Sequence, residues 1–494
     1  MMIESRTASP PFDDSSTSDV VIRTSDGVDF YVHKLILSLA SPFFKQLFTL
    51  HQPSESFVIN AASPPVIDVS EKSHVIDGVL RLCYPVQQPD MSTVSSVVDT
   101  LAAATKYDIS IAISRLKAPL SKLLSTLPLE VYALACQYRL EDVAVDAAEA
   151  WEGVAISAQG QEDKLSIQWK LTPAGESYVP EMAEIPSGMY ARLVNYVRSG
   201  IAPPSFCTPP RFPPPPPTPS FHPLVEFVVT RSHFPLSTDI AVYSIDAVQF
   251  SAHRAILSSA SEVMRDILSR DQTLDRLDLA ENGDTLAIVF RSCYPGGINL
   301  ANGIPVSLTA SVLSAARKYK LPVLEGAAKR RLQEMVQSDP LDVFFHTAMV
   351  GWKEGARDAA VRLSRLPIYD LYTSTMETTS AKYYHALLKF RFDYRRAVAK
   401  CIHYCESFSD QILGDELWGD WMDCDGVHSE VILAAAFASA QSVRDMETTY
   451  EAYYSNPMIS SEVLPEHCLQ DIKEIKASLL VSLSQVQLEL DWGD

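Results

Sequence analysis

Cys401 and Cys405 stand four residues apart, and Cys424 and His428 repeat that spacing. A C-x3-C pair followed by C-x3-H could supply four soft ligands to a tetrahedral zinc ion. The flanks IHYCESF and VHSEVILAAAF nevertheless read as ordinary helices, where free cysteine is a common core residue. Packing is the reading taken, and no metal is expected. Asp423, Asp425 and Gly426 resemble part of a calcium loop, but Trp421 occupies the first ligand position and no Glu arrives at the twelfth. His33 and His253 are each followed by a cation, Lys34 and Arg254, where a strand gives way to a helix. A hydrogen-bonded role at the helix entry outweighs acid–base work there, since no Ser or Cys recurs beside them to complete a triad. The chain has no G-x-x-x-x-G-K, G-x-G-x-x-G or G-x-S-x-G segment, so phosphate cradles and nucleophile elbows are absent. The residues therefore predict a non-enzymatic protein without a cofactor.

The 494 residues carry 41 Lys and Arg against 61 Asp and Glu, a formal charge of -20. That balance repels phosphate backbones and anionic lipid, so neither nucleic acid nor a membrane surface is an expected partner. The polar N-terminal stretch has no apolar core, and no segment approaches the length needed to span a bilayer. Eight cysteines, widely scattered, are too sparse for a disulfide scaffold. The expected setting is cytoplasmic, nuclear or both, with reduced thiols.

Residues 201–223 hold 11 of the 32 prolines. Such a run predicts an extended spacer that divides the chain. Across it lies a duplication. With a shift of 220, Asp19, Phe30, His33, Ile36 and Leu37 fall on Asp239, Phe250, His253, Ile256 and Leu257. Cys83-Tyr84-Pro85 matches Cys293-Tyr294-Pro295 at a shift of 210, and Tyr107 and Tyr132 match Tyr319 and Phe344 at 212. A match that holds over about 130 residues marks two copies of one domain.

In the first copy, alternating residues flank Asp26-Gly27, a strong hairpin signal. The second has Asp246-Ala247 there. Alanine resists a positive φ, which predicts a different or longer turn. Each hairpin leads into a short helix, and Ser41 or Ser261 then caps a second one. A short strand, a helix ending at the Cys-Tyr-Pro triplet and two further helices complete an α+β unit of about 110 residues, a small sheet covered by helices. The stripe Leu35, Ile36, Leu39, Phe43, Phe44, Leu47 and Phe48 is dense for so small a domain. Most of it is expected to be core and some of it interface.

Asp19-Val20-Val21, the run Phe30 to Leu37 and Ser41-Pro42-Phe43-Phe44 resemble the opening signature of the BTB/POZ domain, most of all in the proteins that mushroom-forming fungi carry in numbers. The second copy is a more divergent relative that keeps Asp239, His253, Arg254 and Leu257. The resemblance implies BTB domains at 19–125 and 224–337, after a disordered 1–18 and around a linker at 201–223. BACK-like helical extensions follow at 126–200 and 338–391, and a helical C-terminal region at 392–494. It places Asp19 and Asp239 in a polar pocket with the His-Lys and His-Arg pairs. Together with Leu37, Phe43, Phe44 and Leu257, these are the signature residues and the candidate interface. The implied partners are proteins, among them other BTB chains or a second copy, through intra- or inter-chain dimerisation. A cullin-type ubiquitin ligase adaptor and a transcriptional co-regulator acting through partners are the alternatives. The hydrophobic-x-Glu element that a cullin would read is not evident after the second helix.

Overall fold

The computed structural model describes residues 6–50, 64–158, 178–210, 238–270, 275–294, 303–364 and 371–394, with a few positions beyond these, chiefly 484–490. It divides into two compact units, the first containing residues 1–161, 179–185 and 196–208, the second 162–178, 186–195 and 209–494.

In the first unit, β2 (Val20–Arg23) and β3 (Val28–Val32) form the antiparallel hairpin, with Val20 opposite Val32 and Ile22 opposite Phe30. β1 (Arg6–Thr7) lies parallel to β3, and β4 (Val66–Asp68) parallel to β2, giving the order β1-β3-β2-β4. Helices α1 (Lys34–Ala40), α2 (Pro42–Leu50), α3 (Ser73–Cys83), α4 (Val94–Lys106) and α5 (Ser110–Leu123) cover this sheet. Val20, Phe30, Leu37, Val79, Leu101 and Leu116 are buried between them. Beyond them come α6 (Pro128–Gln137), α7 (Glu141–Ala158) and a 3-10 turn, Pro180–Glu184. The chain continues into α8 (Ser187–Ser199), of which residues 187–195 are counted with the second unit.

The second unit repeats the design. β5 (Ile240–Tyr243), β6 (Gln249–Ala252) and β7 (Arg276–Asp278) have the order β6-β5-β7, antiparallel then parallel. The helices are α9 (Arg254–Ala260), α10 (Glu262–Arg270), α11 (Gly283–Cys293), α12 (Val306–Lys318) and α13 (Pro322–Met335), then α14 (Pro340–Met349) and α15 (Lys353–Ser364). A 3-10 turn, Ser374–Glu377, precedes a helix over residues 381–394. Each copy is therefore the α+β unit read from the sequence.

Three details depart from the sequence reading. The second hairpin keeps the first one's turn: Ala247 adopts φ 62° where Gly27 adopts φ 77°. The N–H of Ala247 reaches the Ser244 carbonyl (3.0 Å) as that of Gly27 reaches Thr24 (2.9 Å). Strand register outweighs alanine's dislike of the left-handed region. Residues 6–18, expected to be disordered, supply β1 and the buried Phe12, whose ring meets Tyr84 edge-on at 5.2 Å. The start of the proline-rich stretch is docked in the first unit. The Glu141 carboxylate accepts the Ser205 hydroxyl (2.6 Å) and the N–H groups of Phe206 (2.7 Å) and Cys207 (3.0 Å). Phe206 and Cys207 are buried, because an apolar pair within a polar run finds core positions once Glu141 has satisfied its backbone donors. The rest of that run, 211–223, lies outside the described residues.

Candidate interaction surface

The histidines sit where expected, at the residue before α1 and before α9, but their partners are tyrosines. His33 donates its backbone N–H to Tyr84 Oη at 2.8 Å, and its Nδ1 lies 3.3 Å from the same oxygen. His253 and Tyr294 repeat both contacts at 3.0 and 2.9 Å. The strand-entry aspartates cap the following helices instead: Asp19 Oδ1 accepts the Lys34 N–H, and Asp239 Oδ1 the Arg254 N–H, each at 2.7 Å. A carboxylate is favoured there because a helix N-terminus presents unsatisfied N–H groups and a positive dipole end.

Further joints recur in both copies. Ser41 Oγ donates to the Tyr107 carbonyl and accepts the Phe44 N–H (3.0 Å); Ser261 does the same with Tyr319 (2.6 Å) and Met264 (3.1 Å). Glu71 receives Lys106 (2.6 Å) and the Tyr107 hydroxyl, as Glu281 receives Lys318 (2.7 Å) and Tyr319 (2.6 Å). Burial works to raise both carboxyls, but these donors hold them below the usual glutamate range. Asp26 accepts the N–H and hydroxyl of Ser73. Against the opposing effect of burial, such donors keep its carboxyl at about 2. Asp246 accepts the Gly283 N–H at 2.8 Å.

Sequence reasoning assigned no role to Tyr84, Tyr294, Glu71, Glu281 or the Asp26–Ser73 contact. Their recurrence at shifts of 210 to 220 was the available signal. The joints are structural. Burial pushes the Tyr84 phenol up to about 12 and the Cys83 and Cys293 thiols up to about 11, so all three stay protonated at neutral pH. Cys401, Cys405, Cys424 and His428 lie outside the described residues. Among the described residues no group of His, Cys, Asp and Glu could hold a metal, and no helix is long and apolar enough to cross a membrane.

Of the candidate interface residues, Leu37, Phe44 and Leu257 belong to the core, with Phe44 stacked on Tyr107 at 5.3 Å. Asp19 and Asp239 are exposed caps, while Lys34 and Arg254 are half-buried. The large apolar side chains that face water on the first helices are Leu35 (70% exposed), Leu39 (80%) and Phe43 (43%). Leu35 and Leu39 are one helical turn apart on the same face. Their counterparts in the second copy are Ala255, Ser259 and Val263, a smaller and more polar surface.

The BTB/POZ domain family model matches the chain over residues 9–123 and again over residues 232–335. These two regions are BTB/POZ domains, a class of module that binds protein partners, other BTB domains among them. No curated protein matches the chain.

Proposed function

We propose that the protein is a non-enzymatic assembly factor whose first BTB domain pairs with the first BTB domain of a second chain through the α1 face and the start of α2. The second domain and the helical extensions present further surface for recruited proteins. The observation that carries this reading is the exposure of Leu35 and Leu39 in the first copy alone. A two-fold interface uses the same patch on both partners. A pair formed by the first and second copies through this face would set Leu35 and Leu39 against Ala255 and Ser259, burying little apolar surface. A pair of first copies sets leucine against leucine. Sedimentation equilibrium of the full chain tests the proposal: a dimer at micromolar concentration is expected, and a monomer there would overturn it.

A further inference from the structure

The duplication runs beyond the BTB domains. With a shift of 194, Met182, Ile185, Tyr190, Leu193 and Val194 fall on Met376, Thr379, Tyr384, Leu387 and Leu388, and all ten are buried. The 3-10 turn Pro180–Glu184 and the start of α8 thus correspond to the turn Ser374–Glu377 and the helix over 381–394.

Residues 186–195 lie before the proline run, yet they belong to the second unit together with this counterpart. There, Pro186 and Ser380 form an antiparallel bridge, and the Tyr190 ring meets the Tyr384 ring edge-on at 6.0 Å. Under the shift of 194 each of these residues is touching its own equivalent. That is the mark of a local two-fold contact, in which one patch is used twice. Ser187 reinforces it, its N–H donating to the Thr379 carbonyl and its hydroxyl to the Ser380 carbonyl, both at 2.7 Å.

One feature of this contact is not symmetric. Arg192 forks onto Glu377, Nη1 to Oε1 at 2.6 Å and Nη2 to Oε2 at 3.3 Å, with side chains only 11% and 14% exposed. Gly188 makes room for this carboxylate, since a Cβ there would lie 2.1 Å from Glu377 Oε1. The counterpart of Arg192 is Ala386 and that of Glu377 is Ala183. A pair of two first-repeat segments would offer the Arg192 guanidinium no carboxylate at this place. A pair of two second-repeat segments would bury Glu377 opposite alanine. Either like-with-like pairing forfeits this ion pair in a largely buried place, leaving Glu377 the neutral Tyr372 hydroxyl (3.2 Å) in place of a cation; breaking a buried ion pair is costly, so it selects against both.

We propose that the segment closing each repeat is an association element separate from the BTB face: residues 186–195 take residues 372–391 of the same chain as their partner, and Arg192–Glu377 enforces that unlike pairing. The element acts without the proline run as tether and without the α1 face.

Two measurements on the full chain test it. Pro186 has no N–H, so its bridge to Ser380 is a non-hydrogen-bonded pair, whose Cα atoms lie about 4.5 Å apart. A disulfide spans such a separation. Mild oxidation of the P186C/S380C chain should give an intrachain 186–380 bond by peptide mapping, absent from either single variant. No bond, or a bond between chains, would overturn the proposal. In the second measurement a specific protease site is placed within residues 211–217 and cut. The two pieces should stay together on gel filtration. Arg192→Glu or Glu377→Arg alone should weaken their association by about 100-fold or more, and the double reversal should recover it to within about tenfold. Separation of the wild-type pieces, or a double variant no better than either single one, would sink the idea. Leu39→Asp, which strikes only the BTB face, should leave both readouts unchanged.

Discussion

Leu39→Asp is the sharpest probe of the dimer face. Leu39 leaves 80% of its surface in water. Burying a leucine side chain fully contributes about 1.5–3 kcal/mol, so covering what Leu39 exposes contributes about 1–2.5 kcal/mol in each chain. A two-fold interface uses the residue twice, so the substitution should remove about 2–5 kcal/mol from the dimer, before any repulsion between the new carboxylates. At about 1.4 kcal/mol per tenfold, the dissociation constant should rise between about thirty-fold and a few thousand-fold. Folding should barely change, since an exposed surface substitution moves stability by about 0.5 kcal/mol or less. Sedimentation velocity over a concentration series, with thermal unfolding as the folding control, reads both quantities. Ser259→Asp alters the equivalent position of the second copy and should leave the dimer unchanged. Equal weakening by the two variants, or an undisturbed Leu39→Asp dimer, would refute the assignment of this face.

Four other outcomes are expected. Ala247→Gly should stabilise the second hairpin by about 0.5–1 kcal/mol, because alanine at φ 62° is strained. Gly27→Ala should destabilise the first by about 1–2 kcal/mol, both read by denaturant unfolding. Ser41→Ala strips partners from the Phe44 N–H and the Tyr107 carbonyl and should cost about 2–4 kcal/mol at a buried site. Ser261→Ala should behave alike. Glu141→Ala should speed thiol labelling of Cys207, now only 2% exposed, by releasing the turn that buries it; an unchanged rate would show that Glu141 does not hold the turn. Burial, and then Lys389, depresses the His385 imidazole to about 4. Unfolded histidine titrates near 6.5, so the unfolded chain binds the proton first as the pH falls. The stability this residue supports should be intact above pH ~6.5 and decline towards pH ~4, a decline that His385→Gln should flatten in unfolding measured against pH.

The parts of this fold legible from sequence are those with local causes. The alternation around Asp26-Gly27 fixes a hairpin, and Ser41-Pro42 supplies a helix cap and a first turn. Repetition at constant shifts marks the second copy. The joints that lock each domain were not legible, because they tie residues far apart in the chain: Tyr84 meets His33 across 51 positions, and Glu71 meets Tyr107 across 36. No propensity encodes such a pairing. Ala247 misled for the opposite reason, since its local preference loses to the strands on either side. The burial of Phe206 and Cys207 was hidden because composition read the whole proline run as one element, whereas its first residues carry apolar side chains within reach of Glu141.

Comparing the two copies separates what holds the domain from what the domain offers. The polar joints recur residue for residue: His with Tyr, Asp with the helix N–H, Ser with both its carbonyl and its amide, Glu with Lys and Tyr. The Ser joints satisfy polar groups that would otherwise be buried without a partner, at a cost of about 1–3 kcal/mol each, so neither copy can shed one cheaply. The exposed positions obey no such constraint, and there the copies differ: Leu35 and Leu39 stand against Ala255 and Ser259. The largely buried Arg192 and Glu377 differ as well, against Ala386 and Ala183. Folding does not require the exposed differences, because either residue at an exposed helix position is compatible with the same fold. Under the pairings proposed above, both sets of differences decide which surfaces attract and which pairings are rejected. Two copies of one module can thereby perform two tasks in one chain, the first copy meeting another molecule while the segments that close the repeats meet each other.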